Sequence, residues 1–138
     1  MDPFGLDLQE KIDDVVGAGY VNTATAGEIA KKAMKNARNS GLPGAHNGPQ
    51  DAYRHCIWSC YMARAIGVEN AKVITDNHEA AGDRAGQPAG EHNMDQHNNA
   101  VGRKVAVTCP SSQTSSSPKS CPESCLEQLF NGGLQTSP

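Results

Sequence analysis

The spacing of the cysteines is the feature that most constrains the fold of this chain. Cys56 and Cys60 lie four residues apart, as do Cys121 and Cys125, while Cys109 stands alone. On a helix, residues four apart project from the same face. Two such helices lying antiparallel would form two disulfides, Cys56–Cys125 and Cys60–Cys121. Two alternatives stay open: a zinc site of four thiolates, for which CxxC is the more usual spacing, or five reduced cysteines.

Disulfides would support a core that the composition predicts to be lightly packed. Hydrophobic residues make up 37 % of the 138 residues and aromatic residues only 4 %. A chain of this length forms one domain with a modest core. A disulfide that closes a loop of about 60 residues contributes on the order of 4 kcal/mol through loop-closure entropy. Disulfides also indicate an oxidising compartment such as the bacterial periplasm.

The charge of the chain argues against one class of partner. The net charge is −3 and the isoelectric point is near 5.9. A nucleic-acid-binding domain normally carries a basic patch, because the phosphate backbone dominates affinity. The composition therefore gives no strong nucleic-acid signal.

The apolar periodicity predicts an all-α fold, a compact bundle of about five to six helices with Gly-rich loops. We predict helices over 5–16, from 23 or 25 to 40, and over 50–66, 69–81, 94–107 and 122–131. In the first of them, Leu8, Ile12, Val15 and Val16 form an apolar stripe. We expect one helical domain over 7–138, with its core at 48–107 and a Ser/Pro-rich linker at 110–120.

Three consecutive predicted helices each carry polar side chains toward the expected core. His55 lies on the apolar stripe of the helix 50–66, beside Arg54, and His78 lies on that of the helix 69–81. On the helix 94–107, a line of Asp95, Asn98 or Asn99, and Gly102 lies opposite Met94, Val101 and Val105. Burying so many polar groups costs several kcal/mol, so they either satisfy one another in a network or line a pocket. We expect them to converge on one polar pocket.

These residue types are typical of phosphate chemistry. A histidine with a carboxylate forms a general base near neutral pH. Arginine matches phosphate oxygens with planar donors, and asparagine donates to a developing oxyanion. The same histidines and carboxylates can ligate Zn²⁺ or Mg²⁺, but no HExxH or other closed metal motif is present. The sequence thus requires no cofactor and leaves a divalent metal open.

The segment Asp2-Pro3-Phe4-Gly5-Leu6 resembles the DPxGL motif that ends the core of Rhs-repeat proteins. In those proteins the shell releases its C-terminal toxin by self-cleavage at this junction. The resemblance implies that 1–6 is a remnant of the junction and that the remainder is the toxin. It also implies delivery into a competing bacterium, a parent Rhs shell and a cognate immunity protein.

A second resemblance covers 48–103. The stretches GPQDAYRHCIW, ITDNHE and MDQHNNAVGR look like a helical domain of bacterial polymorphic toxins and are similar, more distantly, to serum amyloid A. The shared positions are Gly48, Pro49, Trp58, Ile74, Asp76, Glu79, Asp95, Asn99, Gly102 and Arg103. This group is placed with the lipocone enzymes, which include the Wnt fold and act on phosphate-bearing lipid head groups.

Together the resemblances imply an antibacterial effector acting in the periplasm or at the membrane. It would hydrolyse or transfer at the phosphate-bearing head group of a membrane lipid or lipid-linked cell-wall precursor. Arg54 and Arg103 would bind phosphate, and His55 or His78 would act as base or nucleophile. Glu79, Asp95 and Asn99 would orient them. The alternatives are a cytoplasmic nuclease and a non-enzymatic membrane binder that uses the apolar face of 5–16. We also expect His55→Ala to abolish toxicity at little cost in stability.

Overall fold

The computed structural model describes residues 8–108 and 119–138, which form six α-helices and no strand. The helices are α1 (Leu8–Ala18), α2 (Tyr20–Arg38), α3 (Pro49–Ile66), α4 (Val68–Arg84), α5 (Ala89–Val107) and α6 (Cys121–Phe130). The predicted all-α class is confirmed. The predicted junction remnant at 1–6 and residues 110–118 of the predicted linker lie outside the described residues, as does Cys109.

Most helices are longer than their predicted ranges, because the chain turns within very few residues. Gly19, at φ 92°, separates α1 from α2, and Gly67, at φ 90°, separates α3 from α4. These dihedrals are left-handed and therefore favour glycine. The second Gly-rich loop shrinks to 85–88, and Pro88 caps α5 in extended conformation. The helix predicted from 94 therefore starts five residues earlier, since the proline ring fixes φ for the turn before it.

Helix α3 forms the centre of the bundle. It contacts α2, α4, α5 and α6, and twelve of its eighteen residues are buried. Helix α2 lies against it through alanines at 26, 30, 33 and 37, all of them buried. Small side chains at this spacing let the two helices approach closely, which suits a chain with few aromatic residues.

Two disulfides attach α6 to α3. Cys56 bonds to Cys125 and Cys60 bonds to Cys121, with Cα–Cα distances of 5.9 and 5.8 Å. The reversed order of the pairs makes the two helices antiparallel. The predicted disulfide pairing is therefore confirmed, and the four-thiolate zinc site and the fully reduced cysteines are wrong. Because every thiol of the two CxxxC motifs is oxidised, none of them is available as a metal ligand.

Helix α1 presents its polar side to the bundle and its apolar side to the outside. Glu10 and Asp14 are 0 % and 1 % exposed, whereas Leu8 and Val16 of the apolar stripe are 75 % and 83 % exposed. The reason lies on α4, which supplies hydrogen-bonding partners for both carboxylates. Buried carboxylates are tolerated where such partners exist.

None of the helices in the two described ranges has the length and apolar character that crossing a bilayer requires.

Candidate functional site

One polar cavity of about 280 Å³ lies between the start of α3, the end of α4 and the start of α5. Its lining includes four of the predicted site residues, Arg54, His55, His78 and Asp95. It also includes Asp51 and Glu91, which the sequence analysis did not assign to the site, together with backbone and side chains of the two Gly-rich loops. The three helices singled out by their polar side chains therefore meet at one cavity.

The first Gly-rich loop fixes the start of α3. The backbones of Gly44 and Gly48 are in contact, and a Cβ atom on Gly48 would lie 2.6 Å from the Cα of Gly44. Asn47 adopts a left-handed φ of 58° and donates its backbone N–H to Asp51 Oδ2 at 2.8 Å. Asparagine tolerates this conformation better than most residues. The loop thereby locks the carboxylate of Asp51 in the first turn of α3.

A cluster of buried polar side chains lies at the base of the cavity and consists of Asp51, Arg54, His55, Asp95 and Asn99. Arg54 Nη2 donates to Asp51 Oδ1. The Nε2 atom of His55 lies 3.5 Å from Asp51 Oδ1 and 3.4 Å from Asp95 Oδ1. On the other side of the ring, His55 Nδ1 lies 3.1 Å from Asn99 Oδ1. His55 is thus held between two carboxylates and one amide.

All residues of the polar line on α5 are buried: Asp95, Asn98, Asn99 and Gly102. Asp95 and Asn99 face α3, where both contact His55. Of the predicted apolar face only Met94 is buried, whereas Val101 and Val105 are half-buried. The reason is that this line finds partners: Asn99 Oδ1 accepts from Ser59 Oγ at 3.2 Å, and Asn98 Nδ2 donates to the backbone oxygen of Gln135 at 2.9 Å.

Enclosure favours the neutral forms of the two titratable groups that α3 and α5 bring together. Burial lowers the pKa of His55, and the carboxylates of Asp95 and Asp51 oppose that change. Burial also raises the pKa of Asp95, which His55 opposes. His55 is 2 % exposed and makes contacts on both ring nitrogens. The expectation that His55→Ala costs little stability stays a prediction, but the reason given for it does not hold, because this side chain is enclosed rather than placed at an open helix end.

The second histidine of the cavity is held by α1. His78 Nδ1 lies 3.0 Å from Glu10 Oε2, and the ring of His78 meets the edge of Trp58 with the centroids 5.5 Å apart. A carboxylate on one imidazole nitrogen orients the ring and stabilises its protonated form. Glu10 and His78 therefore form a carboxylate–histidine pair beside the cavity.

The other predicted site residues do not line the cavity. Glu79 accepts from Gln87 Nε2 at 3.0 Å, and burial raises its pKa to about 8 with a further contribution from Asp95. Asn99 lies behind His55. Arg103 lies apart from the cavity and donates to Thr75 Oγ1 at 3.1 Å. The structure therefore does not bring Arg103 to the place where a phosphate would bind with Arg54.

Sequence reasoning missed three residues that act on the predicted ones: Asp51, Glu10 and Gln87. Asp51 was detectable, because it lies four residues before His55 on the same helix face. Gln87 lies five residues after Gly82. The missing side chain of that glycine leaves room for the Gln87 amide. Nothing in the sequence indicated that Glu10 is buried, because the apolar stripe of its helix suggested that the opposite face packs against the bundle.

The described residues form a small all-α domain of six helices, in which two disulfides join α3 to α6 and a polar cavity lies between α3, α4 and α5. The chain belongs to the DUF6973 family, a domain of unknown function, which matches residues 17–131. The match spans α2 to α6 and stops short of Glu10 and Asp14 on α1. No solved structure matches the chain.

Asp14 gives a pH prediction that is separate from the cavity. It accepts a hydrogen bond from Asn77 Nδ2 at 2.9 Å, and its charged neighbours are Glu10, His78 and Asp13. Burial raises its pKa from 3.8 to about 6, a change to which Glu10 adds and which Asn77 opposes. The folded chain thus holds a proton that the unfolded chain releases, so stability falls as the pH rises from about 4 to 6. We expect Asp14→Asn to raise the melting temperature by a few degrees at pH 7.5 and not at pH 4.

Thermal unfolding of the wild type and of Asp14→Asn from pH 4 to 7.5 measures this difference in melting temperature. Asp13→Asn is the matched control, because Asp13 is the neighbouring acid but is only half-buried. Equal melting temperatures of Asp14→Asn and wild type throughout the range would contradict the prediction.

Proposed function

We propose that this chain is the toxin part of an Rhs-type polymorphic protein and a phosphoesterase of the bacterial envelope. Its substrate would be the phosphate-bearing head group of a membrane lipid or of a lipid-linked cell-wall precursor. The observation that carries the proposal is that Arg54 and His78, an arginine and a carboxylate-bound histidine, line the same polar cavity. The cognate immunity protein would block this cavity or its access.

The cavity has the size and chemistry of a head-group site. A volume of about 280 Å³ lies at the lower end of small-ligand pockets, so it suits a head group better than a whole lipid. Arg54 is held against Asp51 at the base, where its planar guanidinium can contact phosphate oxygens. The loop residue His46 adds another nitrogen donor to the rim.

His78 is the residue we assign as the base. With the carboxylate of Glu10 at Nδ1, the ring presents Nε2 to an attacking water, as in other carboxylate–histidine pairs. Water oxygen bonds to phosphorus as His78 takes the proton, and the bond from phosphorus to the head-group alcohol breaks. The alcohol oxygen then takes up a proton, and the products are a phosphomonoester and an alcohol.

The decisive experiment is expression in a sensitive bacterium with and without a secretion signal, followed by lipid extraction. We expect toxicity only with the signal, together with loss of one class of phosphate-bearing lipid. Removing a general base typically lowers the rate by 10² to 10⁴. We therefore expect His78→Gln to lower lipid turnover by about 100-fold or more at equal folded fraction. His92→Gln, which alters a histidine outside the cavity, should retain the wild-type rate.

Other outcomes would replace the proposal. Toxicity only without the signal, with degraded nucleic acid, would favour the cytoplasmic nuclease. Unchanged lipids after export would remove the phosphoesterase assignment, and a fully active His78→Gln would remove His78 as its base.

A second candidate function is binding or disruption of the membrane without catalysis. The observation that favours it is the exposure of large apolar side chains on α1 and at the start of α2, since Leu8, Val16, Tyr20 and Val21 are 73–83 % exposed. Large apolar side chains grouped on a surface mark interaction sites. Release of a dye from phospholipid vesicles by the purified chain, without any lipid product, would support this candidate.

A further inference from the structure

We propose that Asp51, His55 and Asp95 form a binding site for one divalent transition-metal ion, Zn²⁺ in the first instance. The site lies in the cavity of the proposed function and deepens it, since the ion would contact the same phosphate. Metal binding is nevertheless measured without any substrate. The two proposals can therefore fail separately.

The spacing of the three ligand atoms fits such an ion. His55 Nε2, one Asp51 oxygen and one Asp95 oxygen all lie within 4.8 Å of one another. The two edges that meet at His55 Nε2 measure 3.5 and 3.4 Å. Zn²⁺ binds nitrogen and carboxylate oxygen at about 2.0–2.2 Å, so neighbouring ligands of a tetrahedral site lie about 3.4 Å apart. Two of the three edges of the triad therefore match the edge of a zinc tetrahedron.

The atom that completes the triad is a buried acceptor. Asp95 is 7 % exposed, and its Oδ1 atom has no hydrogen-bond donor among the described residues. It is this oxygen that points at His55 Nε2. A buried carboxylate oxygen without a donor is costly. An ion between the three atoms would satisfy it.

A partner behind the histidine fixes the ring in the orientation that metal binding needs. Asn99 Oδ1 lies 3.1 Å from His55 Nδ1 and also accepts from Ser59. When Nδ1 donates to this oxygen, the lone pair of Nε2 faces the two carboxylates. Histidines that bind metals almost always donate their other ring N–H to such an oxygen.

The donor set also indicates the kind of ion. One imidazole nitrogen with two carboxylate oxygens suits Zn²⁺ or Mn²⁺ better than Ca²⁺, which takes six to eight oxygens. Three protein ligands leave a position for water or phosphate, which is the pattern of catalytic rather than structural zinc. The two carboxylates offset the charge of the ion in part, because the Arg54 guanidinium on Asp51 Oδ1 adds one positive charge beside them.

The experiment titrates ZnCl₂ into purified, tag-free chain with its disulfides intact, by calorimetry and thermal unfolding. A Cys109→Ser background removes the fifth thiol as a competing ligand. We expect one ion per chain and a rise of several degrees in the melting temperature. Asp95→Asn should weaken binding at least tenfold. Asp76→Asn, which makes the same change at a partly exposed acid outside the cavity, should stay within about twofold of wild type.

A spectroscopic measurement on the unmutated triad guards against an Asp95→Asn chain that does not fold. Co²⁺ in place of Zn²⁺ should give the strong visible bands of a four-coordinate ion. Absence of one-to-one binding, or equal affinity of Asp95→Asn and Asp76→Asn, would overturn the metal site. Lipid turnover that persists in chelator would overturn the contact of the ion with the substrate phosphate and would leave the phosphoesterase standing. Zinc binding without lipid turnover would do the reverse.

Discussion

Removing both disulfides is expected to unfold this chain at ordinary growth temperatures. The bonds Cys56–Cys125 and Cys60–Cys121 close loops with sequence separations of 69 and 61 residues. A loop of this size corresponds to about 4 kcal/mol of loop-closure entropy. Small domains have only about 5–15 kcal/mol of total stability. A core to which α2 contributes only buried alanines leaves little reserve for such a loss.

The two bonds are nested, so their contributions are expected not to add. Once Cys60 and Cys121 are joined, the second bond closes a ring of only about ten residues, which corresponds to less than about 3 kcal/mol. Removing either bond alone leaves the other to hold the long loop closed. We therefore expect the four-alanine variant at 56, 60, 121 and 125 to lose more stability than the two paired variants together.

Urea unfolding of the three variants and the wild type measures these differences. Each paired variant should lose about 2–3 kcal/mol, and the four-alanine variant about 7 kcal/mol, or not fold at all. Thiol titration of unfolded, unreduced wild type should find the one cysteine outside the pairs. A four-alanine variant as stable as the paired variants would show that the bonds do not act through loop closure.

The same cysteines show why part of the fold could be predicted. A spacing of four residues fixes the face of a helix whatever surrounds it, so two such pairs predicted the antiparallel disulfides, although spacing alone left the zinc site and the reduced cysteines open. Helix α1 shows the opposite case. Its periodicity establishes two faces but not which is buried, and that choice depends on the side chains of α4 that meet Glu10 and Asp14.

The candidate site was likewise predictable where helix faces determine it and unpredictable where neighbouring helices do. His55, His78 and Asp95 could be expected near one another, because polar residues on the inner faces of packed helices need partners or a cavity. Arg103 could not be excluded from sequence, because its position on the helix does not reveal that Thr75 lies within reach. Long side chains choose partners from the tertiary structure. The positions of shorter side chains such as His55 and Asp95 were therefore more predictable than that of Arg103.

Helix α5 lies very close to α3 at Gly102. A Cβ atom there would lie 2.3 Å from the backbone oxygen of Cys56 and 2.8 Å from the Cβ of Ser59. The first of these neighbours is backbone, held in place by the disulfide of Cys56, so it cannot move aside as a flexible side chain would. The two helices would have to separate.

We therefore expect Gly102→Ala to destabilise the chain by about 3 kcal/mol or more, which is the upper range for overpacking. Alanine is the better helix former by about 1 kcal/mol, which is too little to offset the clash. Gly27→Ala is the matched control, because Gly27 is also helical and its Cβ would meet nothing within 4 Å. That variant should gain about 0.5–1 kcal/mol.

The effect should extend from stability to the site. Asn99 and Asp95 lie one and two turns before Gly102 on the same face of α5, so a shift of this helix moves both away from His55. We expect Gly102→Ala to bind Zn²⁺ at least tenfold more weakly even where it remains folded, while Gly27→Ala binds as wild type does. Urea unfolding and zinc titration of the two variants measure both effects. A Gly102→Ala chain as stable as Gly27→Ala would contradict the close approach of α3 and α5 on which the cluster depends.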